Sequence, residues 1–218
     1  MGRLILVVLG KQGAGKGTQC ERLSAAYGLP HVSTGDILRA AVRARSALGL
    51  EVAAVLESGA LVSDDLVNRL VAERLGEPDA APGVLLDGYP RTRGQAEALD
   101  AMIAPDAVTA CLDLAIDLEV ATARLAARRV CSTCGAIYKV GDPEADSGVC
   151  SIDGGPVVQR ADDQPEAIAQ RLGAYERDTA PLLDYYRDRG VLATVEGAAG
   201  LDEVTAALRA AIDARAGR

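Results

Sequence analysis

The sequence predicts an α/β fold, a parallel sheet sandwiched by helices that opens on a phosphate-binding loop and carries two insertions, one helical and one small and cysteine-bearing. Three observations carry this reading. Short apolar runs alternate with helical patterns along most of the chain, as in a sheet covered on both faces. The first run, Leu4 to Leu9, breaks directly into "GKQGAGKGTQC". The segment Cys131 to Gln159 departs from the rhythm, being rich in Gly, Asp, Pro and Cys.

Leu4 to Leu9 is too short to span a membrane and leads straight into glycines, so it reads as the first strand. Glycines at 10, 13, 15 and 17 release backbone N–H groups into one concavity, which suits a phosphate. The spacing Gly10-x-x-x-x-Gly15-Lys16 is that of a nucleotide-phosphate loop. Gly17 stands where Ser or Thr usually offers magnesium a hydroxyl, and Thr18 follows to offer one instead. A helix from Thr18 to Tyr27 ends at Gly28 and Pro30. Ser33 and Asp36 resemble a capping box, which predicts a helix from Ile37 bearing Arg39 and Arg43. Helical pattern runs on to about Leu75, interrupted only where Gly59 closes one helix and Ser63 or Asp64 caps the next.

Further strands are expected at Val84 to Asp87, Ala107 to Leu114 and Val191 to Val195, making four in all. The second ends in a carboxylate followed by Gly88 and Pro90, which delay the next helix. After the cysteine segment, Asp162 or Asp163 reads as an N-cap, with Pro165 in the first turn and Glu166 completing the box, so a long helix starts close to Arg160.

The totals narrow the function. A chain of 218 residues, 49% hydrophobic and 25% charged, can bury a full core, and its composition is that of a soluble globular protein. A net charge of −8, with 3% aromatic residues and neither Phe nor Trp, disfavours nucleic acid and anionic membrane as partners. Five cysteines without export features weaken a disulfide framework and point to the cytoplasm.

Lys16 is expected on the terminal phosphates of a nucleotide and Asp87, at its strand end, toward magnesium. Arg39, Arg91, Arg124, Arg128, Arg160 and Arg171 fall near element ends, with Arg124 and Arg128 four apart on one helix face. Beside a phosphate loop they suggest a guanidinium clamp, and phosphoryl transfer then needs no side-chain nucleophile. The single histidine, His31, reads as structural, and Cys20 and Cys111 as core. Cys131-x-x-Cys134 and Cys150-x-x-Asp153 form two knuckles that can surround zinc tetrahedrally, a structural site holding a segment too polar to fold alone.

The motifs "GAGKGTQ", "STGDILRAAV", "LDGYPRT", "RRVC" and "ADDQPEAIAQRL" occur in the order found in adenylate kinases, and the chain resembles that family over essentially its whole length. The resemblance implies a monomer that reversibly transfers a phosphoryl group from Mg-ATP to AMP, giving two ADP. It implies a core domain of residues 1–32, 63–126 and 164–218, an AMP-binding insertion of 33–62 and a lid of 127–163. Carried over residue by residue, ATP is held by Gly13, Ala14, Gly15, Lys16, Gly17 and Thr18, with Arg124, Arg128, Ile137 and Tyr138. AMP falls to Thr34, Arg39, Ala60, Leu61, Val62, Gly88, Tyr89, Pro90, Arg91 and Gln95, with Gln95 reading the adenine and Arg160 and Arg171 reaching in as the lid closes. Lys16, Arg91, Arg128, Arg160 and Arg171 are the implied catalytic set, and Asp162 and Asp163 belong to the lid hinge.

Departures from the family pattern are Lys11 and Gln12 after the first loop glycine, Tyr89 in place of the common Phe, and a turn "VEGAAG" without the lysine that some relatives carry. Rival readings are a kinase for UMP, CMP or GMP, a zinc-knuckle nucleic-acid module, and a GTPase-like switch, whose base-recognition motifs are missing.

Overall fold

The structure, a computed structural model, describes residues 2–217. Strand β1 (Leu4–Gly10) lies at the centre of a five-stranded sheet and is buried along its entire length. Its neighbours are β3 (Gly83–Asp87) and β4 (Ala110–Ala115), flanked in turn by β2 (His31–Ser33) and β8 (Leu192–Glu196), and all four pairings are parallel. Four strands were expected from the sequence. The fifth, β2, is only three residues long and sits at an edge, too short for an alternation pattern to reveal it.

Alternate residues of β1 feed two separate cores. Leu4, Leu6 and Val8 face α1 (Lys16–Tyr27), α6 (Leu118–Ala127), α8 (Pro165–Ala174) and α10 (Leu201–Ala216), packing with Leu23, Leu125, Ile168 and Leu208. Ile5, Val7 and Leu9 face α4 (Asp64–Leu75), α5 (Arg93–Ile103) and α9 (Leu182–Arg187), packing with Val71, Leu99 and Tyr186. Period-two alternation within an unbroken apolar run is what a doubly covered parallel strand requires. Cys20 and Cys111 are each fully buried, one in each core.

The helical insertion differs in detail from its expected form. Helix α2 spans Thr34–Arg43 and so begins three residues before Ile37, because Ser33 is itself the N-cap and its hydroxyl accepts the Asp36 amide at 3.3 Å. A break then separates α2 from α3 (Ala47–Ser58), with Arg45 at φ 50° and Ser46 capping the new helix by accepting from Gly49 N at 3.1 Å. No Gly or Pro marks that break, which is why the periodicity reads through it. Gly59 closes α3 and Ser63 precedes α4, as expected.

The cysteine segment builds its own antiparallel sheet from β5 (Arg128–Cys131), β6 (Ile137–Lys139) and β7 (Val157–Val158), in the order β6-β5-β7, with a one-turn helix α7 (Pro143–Ser147). Beyond it, residues 161–163 form a 3₁₀ turn, and α8 starts at Pro165 with Gln164 as N-cap. Asp162 and Asp163 are therefore not caps. Their carboxylates turn to arginines, a long-range demand that outweighs the local capping pattern. Helix α8 continues through a π-helical turn, Tyr175–Thr179, before α9. Among the described residues, no helix is long and apolar enough to cross a membrane.

Candidate active site

The carboxyl ends of β1 and β3 open on a cleft of about 560 Å³. Parallel strands place all their carboxyl ends on one rim, so loops far apart in sequence meet there. The glycine loop forms its floor. Gly10 has φ +133°, and a Cβ there would lie 2.6 Å from the Leu114 carbonyl oxygen, so only glycine lets β1 leave the sheet at this point. Gly15, at φ 92°, is the N-cap of α1 and offers no side chain to the helix's first amides, which remain available for an anion.

Lys16 curls over this loop and donates to the carbonyl oxygens of Gly10 at 2.7 Å and Lys11 at 2.9 Å. Enclosure pulls its pKa from 10.5 to about 8. Asp87 opposes that fall, and Arg91 and Arg171 add to it. Asp87, the last residue of β3, lines the same cleft, as do Gly13, Ala14, Gly15, Gly17 and Thr18. Ile137 and Tyr138 reach it from β6, and Tyr138 is anchored behind by its hydroxyl, 3.1 Å from the Cys150 thiol.

Arginines converge from four parts of the chain. Arg39, Arg91, Arg124, Arg128, Arg160 and Arg171 all line the cleft. Arg124 lies on α6 and donates to Gly197 O at 3.1 Å. Arg128 does not share its helix face, because α6 ends at Ala127 and Arg128 opens β5. Arg128 instead pairs with Asp163, whose side chain is fully buried, through Nε–Oδ2 at 2.8 Å and Nη2–Oδ1 at 2.6 Å. Arg171 donates to the same carboxylate at 3.0 Å and to the Asp162 backbone at 2.8 Å. Burial lowers Arg91 and Arg160 to about 10, each helped by neighbouring guanidinium groups, so both stay charged at neutral pH.

A side pocket of about 50 Å³ continues from the cleft, lined by Thr34, Arg39, Ala60, Leu61, Val62, Gly88, Arg91 and Gln95. Thr34 donates to Gly88 O at 2.9 Å and Arg91 Nε to the same oxygen at 2.8 Å, which ties α2 to the turn after β3. Gln95 accepts from Arg91 N at 2.8 Å and donates to Asp64 at 2.8 Å, leaving one amide hydrogen and one lone pair free. Pro90 lines the main cleft. Tyr89 lines neither cavity. It is 0% exposed in the core, its hydroxyl donating toward Asn68 and Gln95 O, which corrects its expected place among the AMP-contacting residues.

Sequence reasoning missed Asp64, read only as a helix cap, although it also accepts from Thr92 at 2.5 Å and so fixes the start of α5. It also missed Thr179, which holds Arg91 O at 2.9 Å from the π-helical turn. Neither carries a local signal, since both act on partners distant in sequence.

In the small sheet, one ligand atom from each of Cys131, Cys134, Cys150 and Asp153 lies within 4.8 Å of the others. The Cys134 and Cys150 sulfurs are 3.7 Å apart, close to the edge of about 3.8 Å that four-coordinate zinc–thiolate bonds dictate. The Gly155 amide, bonded to Asp153 at 2.9 Å, is the main cause that holds this carboxyl down to about 2, so it is ionised at neutral pH. All five cysteines are free thiols.

The family model described as adenylate kinase matches residues 8–191. The chain belongs to the adenylate kinase family. Similar relatives include adenylate kinases of Trichlorobacter lovleyi, 46% identical over 95% of this chain and 98% of the relative, and of Nitrosococcus oceani, 49% identical over 88% and 90%. That of Bacillus subtilis is 44% identical over 92% and 94%. As an adenylate kinase family member the chain is a nucleoside monophosphate kinase, and the glycine loop, parallel sheet and arginine-lined cleft are the parts that such a phosphotransferase needs.

Proposed function

We propose that the chain transfers a phosphoryl group reversibly between Mg-ATP and AMP, giving two ADP, with ATP over the glycine loop and AMP in the side pocket. The observation that carries this reading is that the two cavities meet at Arg39, Arg91 and Arg171, which line both. A phosphoryl group passing from one nucleotide to the other would travel through the field of these guanidinium groups. Phosphoryl transfer needs alignment and neutralised charge more than covalent catalysis, and bidentate guanidinium groups provide both.

Gly13 to Thr18 and Lys16 would hold the ATP phosphates, with Arg124 and Arg128 beside them and Ile137 and Tyr138 over the base. Asp87, with Thr18, would orient the magnesium that ATP brings, whose charge screens the phosphate oxygens. Thr34, Gly88 and Pro90 would frame AMP, and Gln95, with one donor and one acceptor unused, suits an adenine edge. The same donor–acceptor pair would also meet a cytosine or uracil edge, so acceptor preference rests on the kinetic comparison below.

Residues 127–163 would move as a lid and 33–62 as the AMP-side flap over a core of 1–32, 63–126 and 164–218. Closure would exclude water, which otherwise competes with AMP for the transferred group. Zinc suits the cysteine cluster, since three thiolates and a carboxylate leave no open position and favour a structural ion. The protein would act as a monomer in the cytoplasm.

ADP formation from Mg-ATP with AMP, set beside UMP, CMP and GMP on wild type and Lys16→Ala, tests the reading. Preference for AMP that vanishes in the variant supports it. Preference for another acceptor moves the specificity, and no transfer to any of the four overturns the proposal.

A further inference from the structure

Cys20, His31 and Asp87, unrelated in the sequence, come together beneath the glycine loop. One ligand atom from each lies within 4.8 Å of the other two. Cys20 follows Lys16 by one helical turn on the same face of α1 and is 0% exposed. His31 opens β2 and its Nε2 faces Asp87 Oδ2 at 3.3 Å. Asp87 lines the cleft, so the cluster has a polar mouth at the carboxylate and a sulfur at its base. A thiol, an imidazole and a carboxylate form a mixed donor set that selects borderline-soft divalent cations such as zinc or cadmium over magnesium.

We propose that Cys20, His31 and Asp87 form a second, inhibitory site for thiophilic divalent cations, separate from the cysteine cluster of the small sheet. An ion entering past Asp87 would bind the three side chains and release the Cys20 thiol proton to solvent, leaving one coordination position toward the cleft. Occupation takes the Asp87 carboxylate away from the magnesium of ATP and sets a second dication close to the Lys16 ammonium. Catalysis then stops through loss of one ligand and gain of one misplaced charge, without disturbance of the cysteine cluster. The binding stands on the geometry alone, whereas the inhibition rests on the phosphotransfer reading given above.

The test uses the full chain carrying one equivalent of zinc, freed of excess metal and titrated with cadmium at fixed Mg-ATP and AMP, with ADP formation and the cadmium–thiolate ultraviolet band read together. Cys20→Ala removes the sulfur and His31→Gln removes the imidazole while keeping the thiol. Neither residue lines the cleft or the side pocket, and both variants are expected to keep basal activity. Wild type should gain one equivalent more of thiolate-bound cadmium than Cys20→Ala. It should also be inhibited with an apparent affinity at least about tenfold tighter than either variant, since losing even a supporting group of a metal site weakens binding by that factor. Should Cys20→Ala fail to fold, His31→Gln decides on the same two readouts. Identical band titrations and identical inhibition in wild type and the variants overturn the proposal. A protein that makes no ADP before cadmium is added would sink the phosphotransfer reading alone, because the band titration still decides the site.

Discussion

Arg128 and Asp163 are joined by two parallel hydrogen bonds although 35 residues separate them, and Asp163 is only 1% exposed. They stand at the two ends of the small-sheet segment, so one buried ion pair closes the neck through which that segment joins the rest of the chain. Arg171 shares the carboxylate and extends the pair to α8.

Replacing Asp163 by Ala leaves two enclosed guanidinium groups facing each other without their shared anion. Breaking a buried pair in this way costs about 3 kcal/mol or more. For a chain of this size that lowers Tm by roughly 6–12 °C. Thermal unfolding followed by circular dichroism measures it, and a shift under about 1 °C would show that the pair holds nothing together.

Lys16 should bind a proton when nucleotide arrives. With its pKa lowered to about 8 in the empty cleft, a large part of the population is neutral at pH 8.5, and a phosphate chain favours the ammonium form. Calorimetry of ATP binding in buffers of different ionisation enthalpy should show net proton uptake near pH 8.5. It should shrink toward pH 6.5 and be absent at both pH values in Lys16→Met. The linkage to folding has the opposite direction from that of a cation gaining a partner. The unfolded chain binds the Lys16 proton more tightly, so this residue's cost to stability is full below pH 8 and fades as pH rises from about 8 toward 10.5.

Asp64→Ala should raise the KM for AMP about tenfold with the KM for ATP little changed. Asp64 holds the Gln95 amide at 2.8 Å and the Thr92 cap at 2.5 Å, and it lines neither cavity itself. Loss of one charged hydrogen-bond partner costs about 1.5–3 kcal/mol, which sets the scale of the effect. Steady-state kinetics with each nucleotide varied in turn checks it, and equal changes in both KM values would refute a role confined to the side pocket.

Removal of the proposed zinc from the small sheet should be felt in the proposed ATP site. Tyr138 lines the cleft while its hydroxyl touches Cys150, so loosening the cysteine cluster would release a residue of the cleft wall. Chelation should lower Tm and weaken ATP binding, and Asp153→Asn should do so in part. Unchanged Tm after complete chelation, confirmed by metal analysis, would mean that the cluster does not hold the segment together.

The glycine loop was legible in the sequence because its function resides in backbone spacing, and Gly10, Gly15 and Lys16 appear as consecutive symbols. The cysteine cluster was legible for the same reason, as two short-range pairs. Illegible features were those decided by partners far along the chain. Asp163 satisfies every local rule for a helix cap, yet two arginines draw it away. Tyr89 sits among pocket residues in sequence but turns into the core, where Asn68 and the Gln95 backbone satisfy its hydroxyl. Cys20 and His31 read separately as core and structural residues, and only the register of β2 on β3 and the pitch of α1 bring them beside Asp87.

The arginines of the cleft outnumber the carboxylates that meet them, and Arg39, Arg91, Arg128 and Arg171 each depress the proton affinity of a neighbouring cation. Like charges at such separations repel, and solvent reaching an open cleft screens them while a shut one would not. On the proposed lid motion, an empty cleft would therefore be a sprung door. The negative charge of the nucleotides would then be the latch, and the molecule would gauge whether both have arrived by the balance of charge rather than by shape alone.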